Sequence, residues 1–205
     1  MGYAEEPDWY AEPYAARADA RVLPGSLLVS SVDLTEPAFR RTVVYVIEHN
    51  STGTLGVVLN RPSDMQVRSV LPAWGSLAAR PGSLFIGGPV KRDSALCLAT
   101  VRYGQSADGI EGVRQVNGRV VMIDLDSNPE AVESRVDGVR VFAGYAGWSP
   151  GQLAGELARD DWLVVPALPS DVLGPSRSDL WAAVLRRQPL PTAMLATHPI
   201  EVERN

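Results

Sequence analysis

The chain has 205 residues, 45% of them hydrophobic, which is enough to bury one sizeable core, so a single domain is expected. Its net charge of −5 argues against a general affinity for nucleic acid, because such binding depends on Lys and Arg neutralising phosphates. No apolar run approaches the roughly 18 residues of a membrane span, and Cys97 is the only cysteine, so neither a membrane helix nor an internal disulfide is expected.

The opening stretch, MGYAEEPDWYAEPYAARADAR, has neither the basic n-region nor the apolar h-region of a secretory leader, and a cytoplasmic location is expected. Residues 1–24 carry acids, prolines and alanines without a steady apolar period, which predicts a disordered arm before a domain over 25–205. Residues 26–30 and 42–48 then read as strands. The second (TVVYVIE) is continuous enough to be buried on both faces. A polar turn over 49–54 and a return over 55–60 complete a hairpin.

Ser63 and Gln66 have capping-box spacing, and Val67, Val70, Leu71 and Trp74 form an amphipathic stripe until Pro72 interferes, which predicts a short helix. Strands are expected over 83–86, 95–101, 119–125 and 139–142. Asn128 and Pro129 should open a helix as N-cap and N1. Further helices are expected after Pro150 and over 179–187, the latter ending before Pro189. Successive strands with few intervening helices indicate an α+β arrangement.

Gly147-Trp148-Ser149-Pro150-Gly151 matches the G-x-S-x-G nucleophile elbow of serine hydrolases. Asp171 or Asp179, followed by His198, would complete a triad in α/β-hydrolase order. Pro150 opposes this reading, because the residue after the nucleophile must give its N–H to the oxyanion hole and proline has none. The same residues read as a helix start, with Ser149 as N-cap, Pro150 at N1 and Gln152 at N3. His49, Cys97 and His198 lack paired ligand spacing, so no metal is expected. No nucleotide-binding glycine pattern is present, and no cofactor is expected. A helix-turn-helix over 179–187 is opposed by Pro189 and Pro191.

GSLLVSS at 25–31, EPAFRRTVVYVIEHN at 36–50, GTLGVVLNRPS at 53–63, FIGGPV at 85–90 and RVFAGYAGWSPGQLAGEL at 140–157 together resemble the YqgE/AlgH family of bacterial proteins. The resemblance implies an α+β fold in which mixed, branched β-sheets curl into a pseudo-barrel with a few short flanking helices. It implies no reaction, although members are often labelled transcriptional regulators. Ser30-Ser31-Val32 and Glu36-Pro37 depart from the family's usual residues in that loop.

Function is expected at the strand ends, where loops are held on a rigid scaffold. His49, Asn60, Arg61, Gly87, Gly88, Tyr145 and Trp148 all fall there. Arg61 offers a forked donor, Tyr145 and Trp148 flat walls, and the glycines close backbone access; equally, Arg61 could be spent internally and Trp148 could fill the core. The leading reading is a non-catalytic regulatory or binding protein that engages a protein partner or small ligand. A serine hydrolase using Ser149 and a DNA-binding regulator are the alternatives.

Overall fold

The computed structural model describes residues 22–174 and 179–199. The expected N-terminal arm lies outside these, apart from residues 22–24, of which Val22 is buried in the core. Ten strands form one branched sheet. They are β1 (Ser26–Ser30), β2 (Val43–Asn50), β3 (Gly53–Val58), β4 (Pro62–Gln66), β5 (Ser83–Ile86), β6 (Val90–Val101), β7 (Val113–Asn117), β8 (Val120–Ile123), β9 (Val136–Trp148) and β10 (Trp162–Pro166). The main path runs β10-β1-β2-β3-β9-β6-β8-β7. Its neighbours pair antiparallel, whereas β5 joins β9 in parallel, Phe85 opposite Phe142, and carries β4 with it. The path's last strand, β7, curls back towards β1 and β2: Asn117 donates to the Pro24 carbonyl just ahead of β1 at 2.6 Å, and Arg114 pairs with Glu48 of β2 at 2.7 Å. The result is a curled half-barrel, in keeping with the α+β expectation.

The strand TVVYVIE is buried on both faces because successive side chains alternate. Val43, Tyr45 and Ile47 enter one core cluster and Val44 and Val46 another. Short helices close three such clusters. Helix α1 (Val67–Val70) and the following 3-10 turn (Pro72–Trp74) cover Cys97, Val121 and Val141 together with Val132 of α2 (Glu130–Glu133). Helix α3 (Gln152–Ala158) places Leu153 and Leu157 on the second cluster. A further one-turn helix, α4 (Pro169–Leu173), precedes α5 (Leu180–Arg186), whose Trp181, Val184 and Leu185 seal the first cluster. Trp181 also donates its indole N–H to the Ser30 carbonyl at 2.8 Å.

Several boundaries differ from the sequence reading. Residues 62–66 are a strand that leads into α1 with Gln66 as its N-cap, and the capping box does not form, because Ser63 spends its hydroxyl on the Leu84 carbonyl across the β4–β5 pair at 2.7 Å. Pro72 limits α1 to one turn. Asn128 does accept an N–H, from Glu130 at 3.0 Å, but the N-cap is Pro129. The N-cap of α3 is Gly151 at φ 76, and not Ser149. Ser149 closes that turn through its main chain, its N–H donating to Gln152 Oε1 and its carbonyl accepting the Gln152 N–H, both at 3.0 Å. Strands β7 and β10 and helix α4 were not anticipated, and β9 extends well beyond 139–142.

That extension rests on close backbone contact. A Cβ on Gly88 would collide with the Tyr145 main-chain carbonyl carbon, and one on Gly87 with the Gly144 carbonyl oxygen. Gly144 itself turns at φ 69, with Val90 O only 2.7 Å from where its Cβ would be. Gly88→Ala should therefore cost about 3 kcal/mol, the upper end for forced overpacking. Gly109→Ala, at φ 75 in open space, should cost only about 1 kcal/mol. Urea titration of the two variants checks this contrast, and equal losses would contradict it.

Candidate functional site

The seven strand-end residues divide into three groups. His49, Tyr145 and Trp148 come together where the β2–β3 turn meets the end of β9. Two adjoining clefts open there, of about 360 Å³ and 420 Å³, and both are bordered by Asn50, Gly53, Thr54, Ser149 and Pro150. His49 lines the first, with Nδ1 2.7 Å from the Thr54 hydroxyl oxygen, and Tyr145 lines the second. The two sides are held together by pairing of Thr54 with Trp148 and of Leu55 with Gly147. Apart from Glu48, which is paired with Arg114, the polar groups bordering these clefts are hydroxyl, amide, imidazole and main-chain groups.

Trp148 forms the buried floor of this region and not an open wall. It is 5% exposed, and it meets Trp162 edge to face at 5.8 Å and Phe39 stacked at 6.1 Å. Glu156 of α3 organises the pair. Its Oε2 accepts both indole N–H groups, from Trp148 at 2.7 Å and Trp162 at 2.8 Å, while Oε1 accepts from Gln152 at 3.0 Å. One carboxylate thus fastens α3 to β9 and β10. Sequence reasoning missed Glu156, whose signal was its place three to four residues after Gln152 and Leu153 on the same helix.

Asn60 and Arg61 stand elsewhere and serve the chain's own 31–42 loop. Asn60 accepts the Val43 N–H at 3.1 Å and donates to the Arg41 carbonyl at 2.8 Å. Arg61 donates to the Arg40 carbonyl at 2.7 Å. Ser30 and Thr42 add two more bonds, Thr42 N–H to Ser30 Oγ at 2.9 Å and Thr42 Oγ1 to Phe39 O at 2.7 Å. Arg41 sits at φ 50, a left-handed position costly for a side chain of this size. Its guanidinium lies 4.1 Å over Trp181 and bonds Asp179 at 2.6 Å. Gly87 and Gly88 form the third group, where main chain meets main chain: the Gly87 N–H bonds Ala143 O and its carbonyl accepts from Val58 N–H, both at 2.9 Å.

In the hydrolase alternative, Arg41 bonds both Asp179 and the His198 carbonyl, but Ser149 borders a different cleft from His198. Asp171 is buried, gripped by both Arg187 nitrogens at 2.7 and 2.6 Å, and caps the Leu168 N–H. Asp179 holds Arg41 and caps α5 through the Ala182 N–H at 3.1 Å. His198 borders a separate cleft with Arg40, Arg41 and Trp181. Ser149 instead shares its cleft with His49. Cys97 is fully buried, and burial pushes its thiol well above the ordinary range, so it sits as a core residue. Arg140, which the sequence did not single out, is buried over Phe85 at 4.2 Å and donates to the carbonyls of Arg80 and Gly174; burial pulls its pKa down to about 10. Among the described residues, no group of three or more His, Cys, Asp or Glu side chains could hold a metal ion.

Two substitutions check these assignments. Arg61→Gln removes a charged donor to a loop carbonyl and should lower stability by about 2 kcal/mol, measured by thermal denaturation; an unchanged melting temperature would show that the loop does not need it. Glu156→Ala strands two indole N–H groups and should cost roughly 3 kcal/mol while shifting tryptophan emission to the red. Unchanged emission and stability would contradict the keystone role.

Comparison with known proteins agrees with this architecture. The profile of the AlgH-like family, DUF179, matches residues 27–193. A UPF0301 protein of Rhodococcus opacus (strain B4) is 65% identical over 205 residues, covering 100% of both chains. One from Mycolicibacterium smegmatis is 60% identical over the same 205 residues, again 100% of each. Among solved structures, protein DIP2367 from Corynebacterium diphtheriae is 39% identical with a TM-score of 0.83, covering 86% of this chain and 92% of that one. The solution structure of AlgH from Pseudomonas aeruginosa, at 24% identity and a TM-score of 0.61 over 98% of this chain and 99% of that one, shares the fold. The family match and these relatives establish that the chain belongs to the UPF0301 family, the YqgE/AlgH proteins of bacteria.

Proposed function

We propose that this protein is a non-catalytic binding or regulatory protein that acts from the cytoplasm and recognises a protein partner or small polar ligand at the strand-end clefts. One observation carries the reading: hydrogen-bonding groups from the β2–β3 turn, β9 and the β9–α3 turn border two adjoining clefts, His49 and Thr54 on one side and Tyr145 and Ser149 on the other. Clefts of a few hundred Å³ with a small set of convergent polar groups suit small molecules or a peptide side chain. The hairpin and β9 are tied by backbone pairing, so the polar groups are positioned before a ligand arrives. Among the described residues no helix is long and apolar enough to cross a membrane, which accords with the proposed location.

The hydrolase alternative draws on the shared cleft of Ser149 and His49. Against it stands Pro150, which leaves the residue after Ser149 without an N–H for an oxyanion. For the DNA-binding alternative, α5 buries Trp181, Ala182, Val184 and Leu185 in the core, and of its seven residues only Ala183 and Arg186 are exposed, which leaves little face to enter a groove.

A thermal-shift screen with nucleotides, phosphorylated sugars, amino acids and short peptides tests the proposal, since a ligand selective for the native state raises apparent stability. The expected result is at least one compound whose shift is lost in Tyr145→Ala and in His49→Ala, both otherwise folded. A shift that survives both substitutions would place binding elsewhere. Stoichiometric labelling of Ser149 by a fluorophosphonate would make the protein a hydrolase.

A further inference from the structure

We propose that the open edge of β6 beyond Cys97 is a docking site for an extended, basic segment of a partner protein, added as a strand beside β6. This site is distinct from the strand-end clefts and shares no lining residue with them. Strand β8 pairs with β6 only from Thr100 opposite Val120 to Cys97 opposite Ile123. At Asp124 the chain turns away, its N–H bonding back to Gly112 O at 2.7 Å. β6 continues through Leu96 and Ala95, paired with Phe142 and Ala143 of β9 on one side. On the other side this stretch has no strand partner among the described residues. An uncovered strand edge is a template for pairing with another chain.

The space beside that edge is a cleft of about 630 Å³. Leu71, Leu96, Met122 and Leu125 give it an apolar lining, and Asp124 and Asp126 stand at its rim. Open edge and apolar cleft together match strand addition, in which main-chain hydrogen bonds supply affinity and alternate side chains fill pockets. Met122, unbranched and soft, lets the lining adapt to different side chains.

Charge selects the occupant. Asp124 Oδ1 accepts the Asp126 N–H at 2.9 Å, and neither carboxylate has a cationic partner among the described residues. Arg114, the one base on the lining, is paired with Glu48 at 2.7 Å. Lys91 and Arg92 lie further along β6, where the chain passes Gly144. The rim at the Asp124 end is therefore acidic and favours a basic segment. The protein's own N-terminal stretch, with Glu5, Glu6, Asp8 and Glu12, has the wrong sign for it.

Fluorescence anisotropy with labelled heptapeptides and the full chain tests this. The probes are VKVKVKV, its glutamate counterpart VEVEVEV, and VKVKVKV carrying N-methyl groups on alternate residues. At low ionic strength the lysine peptide should bind at least roughly tenfold more tightly than the glutamate peptide, and Asp124→Asn combined with Asp126→Asn should weaken it by a similar factor while the protein stays folded. N-methylation should abolish binding, because it removes the edge donors of an added strand. Amide exchange at Ala95 and Leu96 should slow on binding. Absent binding of the lysine peptide, equal binding of the glutamate or N-methylated peptide, or sedimentation showing that two copies pair through this edge would overturn the proposal.

Discussion

Backbone touching backbone at Gly87, Gly88 and Gly144 is the constraint from which the rest of this structure follows. Along its thirteen residues β9 pairs with β6, β5 and β3, and those partners can converge only where no side chain stands between them. Gly144, turned at φ 69, lets the main chain bend as it passes from the β6 pairing to the β3 pairing. The branch in turn sets the curl of the sheet and divides its interior into separate apolar clusters, each closed by a short helix. Among the described residues no helix is long enough to be stable alone; each is held by the face it buries.

Branching also produces the surface. A strand that changes partners leaves ends and overhangs, and the clefts lie at these places. The strand-end clefts form where β9 leaves β3 and turns into α3, a junction that Glu156 holds from beneath by receiving two indole N–H groups. The β6 edge opens where β8 stops short of its neighbour. The 31–42 loop, by contrast, is drawn onto the barrel by the side chains of Asn60, Arg61, Ser30 and Thr42, which bond main-chain groups of Phe39 to Val43.

What could be read from the sequence was what depends on local pattern. The two-sided burial of β2, the β2–β3 hairpin and the helix α5 ending before Pro189 each leave a signal within a few residues. The length of β9 did not, because Gly138, Gly144 and Gly147 resemble breaks until their distant neighbours are known: Gly144 admits the Gly88 and Val90 carbonyls, and Gly138 the Leu77 carbonyl. β7 and β10 are five residues each and lie at the two ends of the main sheet path, where half-exposed residues blur the alternation. Of the candidate site, the strand-end pattern singled out His49, Tyr145 and Trp148, which border two adjoining clefts. Arg61 was placed at a strand end as expected, but composition cannot tell whether its acceptors belong to a ligand or to the chain's own carbonyls. Ser149 shows the same ambiguity, since a serine before Pro-Gly closes a turn through its main chain as readily as through its hydroxyl.

The strand junctions are tied by backbone pairing, and hydrogen-bonding side chains gather at one of them. We propose that a cellular ligand or partner settles there, on the His49, Thr54, Tyr145 and Ser149 surface. Titrating the nitrogen-15-labelled protein with fractionated bacterial extract and following its amide resonances tests this directly. The first perturbations should cluster on residues 49–54 and 145–154. Perturbations centred on the cleft of Arg41, Trp181 and His198, with those two segments unmoved, would contradict it.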